Sequence, residues 1–363
     1  MKYGVSMPIL GTPIHKFPAF ARAAEAAGLD SVWSYEFYRD PFMILGNAAN
    51  TTRRIGLGTG LATALIRSPF AAANAIADVD ELSAGRAIFG LGVGSPDFLE
   101  AWHSTNADTP IARMREYIDV VRMSWDYLRT EEPVSYSGEH YRFHSMPLNP
   151  WGIRTLARDR IPIILAATGP KMISLAGETA DGVLGYSYTP LYLQERVLPN
   201  LTRGLQRSGR RRSDVEVVSY VICSVNDDPD VAWRRARIHV GTYFAHPTSD
   251  AFLAMHGLDK DIVRVREGLM RGGLETLEHT VSDALVEAFS LTGTPVEVRQ
   301  QLERFGDELD HVILHTPYVP PLTPEESEDA FRGIVSTFGA VGSVELGQLT
   351  SLDSTRSVTV RQM

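Results

Sequence analysis

The chain of 363 residues is 44% apolar and 22% charged, with 30 Gly, 21 Pro and one Cys, which excludes a disordered, collagen-like or disulfide-framed protein. A formal charge of −9 opposes a polyphosphate partner, so no nucleic-acid partner is expected. The opening run MKYGVSMPIL is too short for a secretory leader or a membrane helix, and Cys223 stands alone in a strand-like run, so a reducing cytoplasm and no membrane are expected.

Residues 2–9 read as a buried strand, followed by a helix in which Phe17, Phe20, Ala24 and Ala27 recur at helical spacing and Gly28 marks the stop. Residues 31–36, SVWSYE, form a second short strand. Pro41 after Asp40 opens the next helix, with Phe42, Leu45, Ala48 and Ala49 on one face. The run IGLGTGLA (55–62), a helix from Ser68–Pro69 to Leu82 and the strand AIFGLGVG (87–94) follow. A longer helix carries the stripe Met114, Tyr117, Ile118, Val121, Trp125 and Leu128. Residues 133–143 break this rhythm as two short aromatic-bearing runs meeting at Ser137–Gly138, a hairpin insertion. Strands are expected again at 161–169, 181–187 and 215–225, each leading into a helix, before a helical insertion near 241–290 interrupted at Gly272–Gly273. A helix over 296–305, a strand over 311–317 and a helix over 324–338 complete the series. The polar stretch 341–363 reads as a tail.

Eight near-continuous apolar strands alternating with amphipathic helices predict an α/β fold, a closed (β/α)8 TIM barrel over 1–340 carrying both insertions. No G-x-G-x-x-G turn follows the first strand, as an open dinucleotide-binding sheet would require. In such a barrel the carboxyl ends of the strands face the active site. Those ends carry Glu36, Thr59–Gly60–Leu61, Gly94–Ser95, Ala167 to Lys171, Gly185 and His315. Four of the six contain Gly, as close approach by a large flat ligand and its phosphate requires; tight strand-to-helix turns call for Gly too. His15 and His315 fall at the mouth by this coordinate, and His315 is a catalytic candidate. Trp33, Tyr38, Trp102, Tyr186 and Tyr188 are candidates for an apolar substrate pocket or for packing. His140 and His144 lie four apart in a hairpin without a third ligand, so no metal is expected.

The strings LGTGLATALIRSPF (57–70), ELSAGRAIFGLGVG (81–94) and PIILAATGPKMISLAGETADGVL (162–184) resemble the luciferase-like monooxygenase superfamily, whose barrels bind FMN or the deazaflavin coenzyme F420. The likeness runs from residue 2 to about 340, and A-x-G-P-K-M over 167–172 is similar to the F420-dependent branch of methylenetetrahydromethanopterin reductase. This resemblance implies a non-proline cis peptide at Gly60–Leu61, with Thr59 beside it and Leu61 behind the coenzyme's ring. It implies that Ala167, Thr168 and Gly169 present donors to the coenzyme's phosphate, with Pro170 opening the helix and Lys171 adding a cation. Gly94 and Ser95 are placed near the ring or the substrate. Glu36 is placed where relatives carry an acid–base group, although Tyr35–Glu36 replaces the common Asp-His pattern. A carboxylate there exchanges a proton with the substrate while hydride moves at ring carbon C5; as an alternative it pairs with Arg39 or Arg67. The implied function is hydride transfer between the deazaflavin and a small organic substrate, reducing C=C or C=N or oxidising an alcohol. An FMN-dependent two-component monooxygenase and a non-catalytic coenzyme-binding barrel are the alternatives, and a homodimer is the implied assembly.

Overall fold

Residues 1–146, 150, 152 and 154–339 are described by a computed structural model of the chain; the expected tail lies outside them. The strands are β1 (Lys2–Ser6), β2 (Ser31–Ser34), β3 (Gly56–Thr59), β4 (Ala62–Thr63), β5 (Ala87–Gly92), β6 (Ser135–Ser137), β7 (Arg142–His144), β8 (Ile163–Ala166), β9 (Gly182–Tyr186), β10 (Glu216–Val225), β11 (Ser290–Gly293) and β12 (His311–His315). Eight of them pair side by side, all parallel, in the order β1, β2, β3, β5, β8, β9, β10, β12. The ring closes where β12 meets β1, with Lys2 opposite His311 and Val5 opposite Leu314.

Each ring strand is covered on both faces, which is why it reads as an almost unbroken apolar run. Trp33, Ile164, Leu184, Val218, Tyr220 and Ile313 fill the barrel interior. Their neighbours Val32, Ile163, Val183, Val217 and Val312 join the outer core beneath the helices. The connecting helices start on the residues that capping chemistry favours. The Asp40 carboxylate accepts from the N–H groups of Phe42 and Met43 at the start of helix Pro41–Ala49, and Ser68 accepts from Ala71 at the start of Pro69–Leu82.

A hairpin and a group of helices lie outside the ring. β6 and β7 pair antiparallel with Tyr136 opposite Phe143. The helices Asp250–Met255, Asp259–Gly272, Leu277–Thr280 and Asp283–Phe289 follow helix Pro229–Phe244 and share with it a separate apolar cluster that includes Phe244, Leu253, Leu277 and Phe289. Two expectations change. The strands end earlier than their apolar runs, so residues 7–9, 35–36, 93–94 and 167–169 leave the ladder and build the rim. The insertion also ends in β11, a further parallel strand paired with Ile222–Val225. At ten residues β10 outruns its ring partners, and β11 covers the backbone groups that would otherwise stand unpaired. No helix among the described residues is long and apolar enough to cross a membrane.

Candidate active site

Parallel strands deliver all their C-terminal ends to one face, and there they enclose a cavity of about 570 Å³. Tyr35 and Glu36 beyond β2, Gly60 and Leu61 between β3 and β4, and Tyr186, Tyr220 and His315 on β9, β10 and β12 reach its wall. Tyr243, His246 and Tyr318 complete it from segments outside the ring strands. The wall is therefore largely aromatic. Burial pushes the Tyr35, Tyr186, Tyr220 and Tyr318 hydroxyls well above the ordinary phenol range, so each keeps its proton. The same desolvation holds His239 well below its usual range and pushes His315 down to about 3, so both imidazoles are neutral at pH 7.

Ser6 Oγ accepts from the Thr316 N–H at 3.0 Å and lies 2.7 Å from His315 Nδ1. In the tautomer protonated at Nε2, the hydroxyl that accepts from Thr316 satisfies its own proton by donating to Nδ1. Among the described residues Nε2 has no hydrogen-bond partner, and neither does the Tyr220 hydroxyl. Tyr186 bonds His239 at 3.1 Å, and Tyr243 bonds Tyr318 at 2.5 Å.

Glu36 lies on the cavity wall with its carboxylate engaged. Arg67 donates to both oxygens, at 2.7 and 2.5 Å, and the Thr63 N–H donates at 2.6 Å. Arg67 also reaches Asp40, whereas Arg39 turns away to the Thr12 carbonyl. Of the two pairings open in the sequence, Arg67 is the one formed.

The Gly60–Leu61 peptide is cis. Thr59 is buried beside it and donates to the Gly90 carbonyl at 2.7 Å. A Cβ on Gly60 would stand 1.9 Å from the Tyr220 hydroxyl, and one on Gly185 would meet the Tyr188 ring at 2.3 Å. Glycine at both positions thus admits a side chain of this protein. Ser95 caps the helix Pro96–His103 by accepting from the Phe98 N–H, so its hydroxyl serves the backbone; Gly94 before it has φ +87°.

Ala167, Thr168, Gly169, Pro170 and Lys171 follow β8 at the same barrel end, but none of them lines the cavity. Their loop is pinned by Tyr188, which donates to the Ala167 carbonyl, and by Tyr192, which donates to the Thr168 carbonyl. Gly169 is the N-cap of helix Pro170–Thr179, no other atom approaches its Cβ direction within 4 Å, and Thr168 and Lys171 are exposed. An open helix N-terminus with a hydroxyl and a cation is suited to an anion.

The aromatic candidates divide. Tyr186 and Tyr38 line the cavity, Trp33 packs inside the barrel, and Tyr188 fills the space at Gly185. Trp102 is exposed at the rim, where its ring stacks with Phe37 and Tyr38. His15 sits exposed on a short turn outside the cavity. His140 bonds Thr109 and His144 bonds Ser135 and Ser137, and no metal-holding group of three His, Cys, Asp or Glu occurs among the described residues. Ser6, Tyr243 and Tyr318 were not expected. Tyr318 follows the rim residues His315–Thr316–Pro317 and was findable; nothing local to Ser6 or Tyr243 marks them.

Residues 1–310 match the family described as luciferase-like monooxygenase. The chain belongs to that family. This luciferase-like protein is 31% identical over 328 residues to the 5,10-methylenetetrahydromethanopterin reductase of Archaeoglobus fulgidus, covering 88% of this chain and 95% of that one. It is 32% identical over 323 residues to a Mycobacterium tuberculosis protein provisionally named a coenzyme F420-dependent oxidoreductase, covering 83% and 91%. Among solved structures, the coenzyme F420-dependent tetrahydromethanopterin reductase of Methanopyrus kandleri superposes with a TM-score of 0.78 at 25% identity, covering 93% of this chain and 97% of that one. The family resemblance and the (β/α)8 barrel expected from the sequence both hold, and the luciferase-like chain is an oxidoreductase by family.

Proposed function

We propose that this protein is a coenzyme F420-dependent oxidoreductase that moves a hydride between deazaflavin C5 and a small, uncharged organic substrate. The observation that carries this is the pairing, on one barrel rim, of a flat-walled aromatic cavity with an open helix N-terminus at Gly169. The Mycobacterium tuberculosis relative and the Methanopyrus kandleri structure, both named for F420, support it, as each aligns over more than four-fifths of this chain.

The residues present fit such a coenzyme. Leu61 offers an apolar support on the cavity wall, and the space over Gly169 is unobstructed. Thr168, Lys171 and the first N–H groups of the helix would hold the anionic tail. When bound, the deazaflavin supplies a two-electron hydride carrier that forms no stable oxygen adduct. The chain's own groups do the rest. The tyrosine wall excludes water from the reacting atoms. Glu36 fixes Arg67 and the Thr63 backbone, so it enters as a positioning residue for the wall behind the ring, with its carboxylate committed to accepting hydrogen bonds.

Titration of the purified protein with F420 and with FMN tests the proposal. F420 is expected to bind at least about tenfold tighter, a difference of about 1.4 kcal/mol. Tighter binding of FMN would overturn it in favour of a flavin monooxygenase, and retention of F420 with no turnover of any carbonyl, imine or alcohol would favour a coenzyme carrier.

A further inference from the structure

We propose that Tyr220 and His315 form a two-donor clamp for the carbonyl oxygen of an uncharged substrate, and that Ser6 is the positioning residue that points the His315 proton at it. This names the substrate class of the site just described and rests on that reading of it.

Among the described residues three groups on the cavity wall lack a hydrogen-bond partner, the Tyr35 and Tyr220 hydroxyls and His315 Nε2. The Tyr220 and His315 rings meet edge to face with centroids 4.9 Å apart, against 6.0 Å for Tyr35 and His315, so Tyr220 is the nearer partner for an acceptor shared with His315. A buried donor left without a partner costs about 1–3 kcal/mol, and most buried polar groups in folded proteins avoid that cost. Here the cavity is the space both residues border, so an acceptor arriving through it removes the cost twice over. The hydroxyl of Tyr220 also lies against Gly60, immediately before Leu61, which places it beside the wall offered to the coenzyme's ring.

Charge decides which acceptor. The tyrosines facing the cavity keep their protons and His315 and His239 are neutral. The Glu36 carboxylate is matched by Arg67, and His246 lies beside Asp97. Among the described residues no cation therefore stands free on this wall to receive a carboxylate or phosphate, and burying either beside neutral phenols would be costly. A neutral carbonyl oxygen accepts two hydrogen bonds without that cost. It also gains most as negative charge grows on it, so the donors stabilise the transition state more than the ground state.

The step balances as follows. In the reducing direction a C–H bond forms at the carbonyl carbon from a hydride and its electron pair. The C=O π pair moves to oxygen, which takes the Tyr220 proton while neutral His315 holds its hydrogen bond; the phenolate regains its proton from solvent once the product leaves, and the product is an alcohol. Reduced deazaflavin, the named co-reactant, is oxidised by two electrons. Alcohol oxidation is the reverse.

Three probes of similar shape test the clamp by calorimetry, on the protein alone and saturated with oxidised F420: acetophenone, ethylbenzene and benzoate. Ethylbenzene is the more apolar and would bind best in a cavity without free donors. Acetophenone is expected to bind about tenfold tighter than ethylbenzene, with benzoate weakest. Tyr220→Phe should bring the acetophenone to ethylbenzene ratio towards one while F420 affinity stays within about twofold. Ser6→Ala should move the ring 15N resonances of His315 as the tautomer is released, a change mere loss of packing would not produce. Equal binding of ketone and hydrocarbon by the parent protein overturns the clamp. So does a Tyr220→Phe protein that loses F420 affinity and keeps the ketone preference, since the donors would then face the coenzyme. If F420 fails to bind and the ketone preference persists, the clamp is upheld and the coenzyme assignment falls.

Discussion

His311 and His315 stand on one strand with Ile313 between them, facing the same side of β12 at opposite ends of the barrel. Both are buried, and burial lowers both, to about 4 and about 3. Their surroundings differ in one respect. At the amino end, His311 Nε2 pairs with Ser31 Oγ at 2.9 Å, the same hydroxyl takes the Trp33 indole N–H at 2.7 Å, and His311 Nδ1 lies 3.8 Å from Glu216. At the carboxyl end, His315 is held by Ser6 on one nitrogen and left open on the other, beside an equally open Tyr220. Burial and a lowered pKa therefore do not separate a structural histidine from a functional one here. The unmet donor does.

The widest break between the two ends is expected from Tyr220→Phe. The hydroxyl has no partner to lose, so the melting temperature should hold, while turnover with a carbonyl or alcohol substrate falls on the order of 100-fold, the usual effect of removing one aligned donor. Unchanged turnover would place the reacting atoms elsewhere. Ser6→Ala should follow, with about a tenfold loss of turnover as His315 samples the wrong tautomer, and with recovery in Ser6→Thr, which keeps the hydroxyl. At the amino end the pattern should invert. His311→Leu strips the Ser31 hydroxyl of one of its two partners and should cost about 1 kcal/mol of stability at constant turnover. A His311→Leu protein that melts normally and fails to turn over would erase the distinction between the ends.

Acid sharpens the same comparison. In the unfolded chain these histidines protonate near 6.5, while in the folded chain they do so only near 4 and 3. Between those limits the unfolded chain binds more protons, so stability is full above about pH 6.5 and drains away as pH falls. Carboxylates held down by their partners, such as Glu178 beside Arg115 and Arg207, add their own loss only below about 4.5. Melting temperature should thus already decline between pH 6.5 and 5, with a shallower slope in His311→Leu. A flat profile over that interval would contradict the buried, neutral state of these rings.

How much of this was legible differs by kind of contact. The ring strands and the caps at Asp40 and Ser68 are local patterns, and apolar runs and capping residues declare them. β11 was not legible, because four residues after a helix carry no alternation, and the need for them arises only from the length of β10. At the site, strand-end position brought out Glu36, Gly60, Leu61 and His315, all on the cavity wall. It could not reveal that Gly185 makes room for Tyr188, since a ligand and a neighbouring ring demand the same missing Cβ. Nor could it join Ser6 to His315, which are 309 residues apart in the chain and meet only when β12 closes the barrel on β1.

The smallest effect is expected at the rim, where His246 of the helical insertion approaches Asp97 at 3.3 Å across the cavity mouth. Asp97 is 82% exposed, so water competes for the contact and salt screens the carboxylate, and an exposed contact of this kind contributes little to stability. Asp97→Ala should leave the melting temperature and the pH profile of stability unchanged. It removes a contact between the insertion and helix Pro96–His103, so any consequence belongs to passage through the mouth. Turnover at saturating substrate should hold while KM shifts by no more than about twofold, and that shift should vanish at high salt, where the parent pair is screened as well. A fall in turnover comparable to that of Tyr220→Phe would mean that the rim, and not the unmet donors on the cavity wall, limits the chemistry.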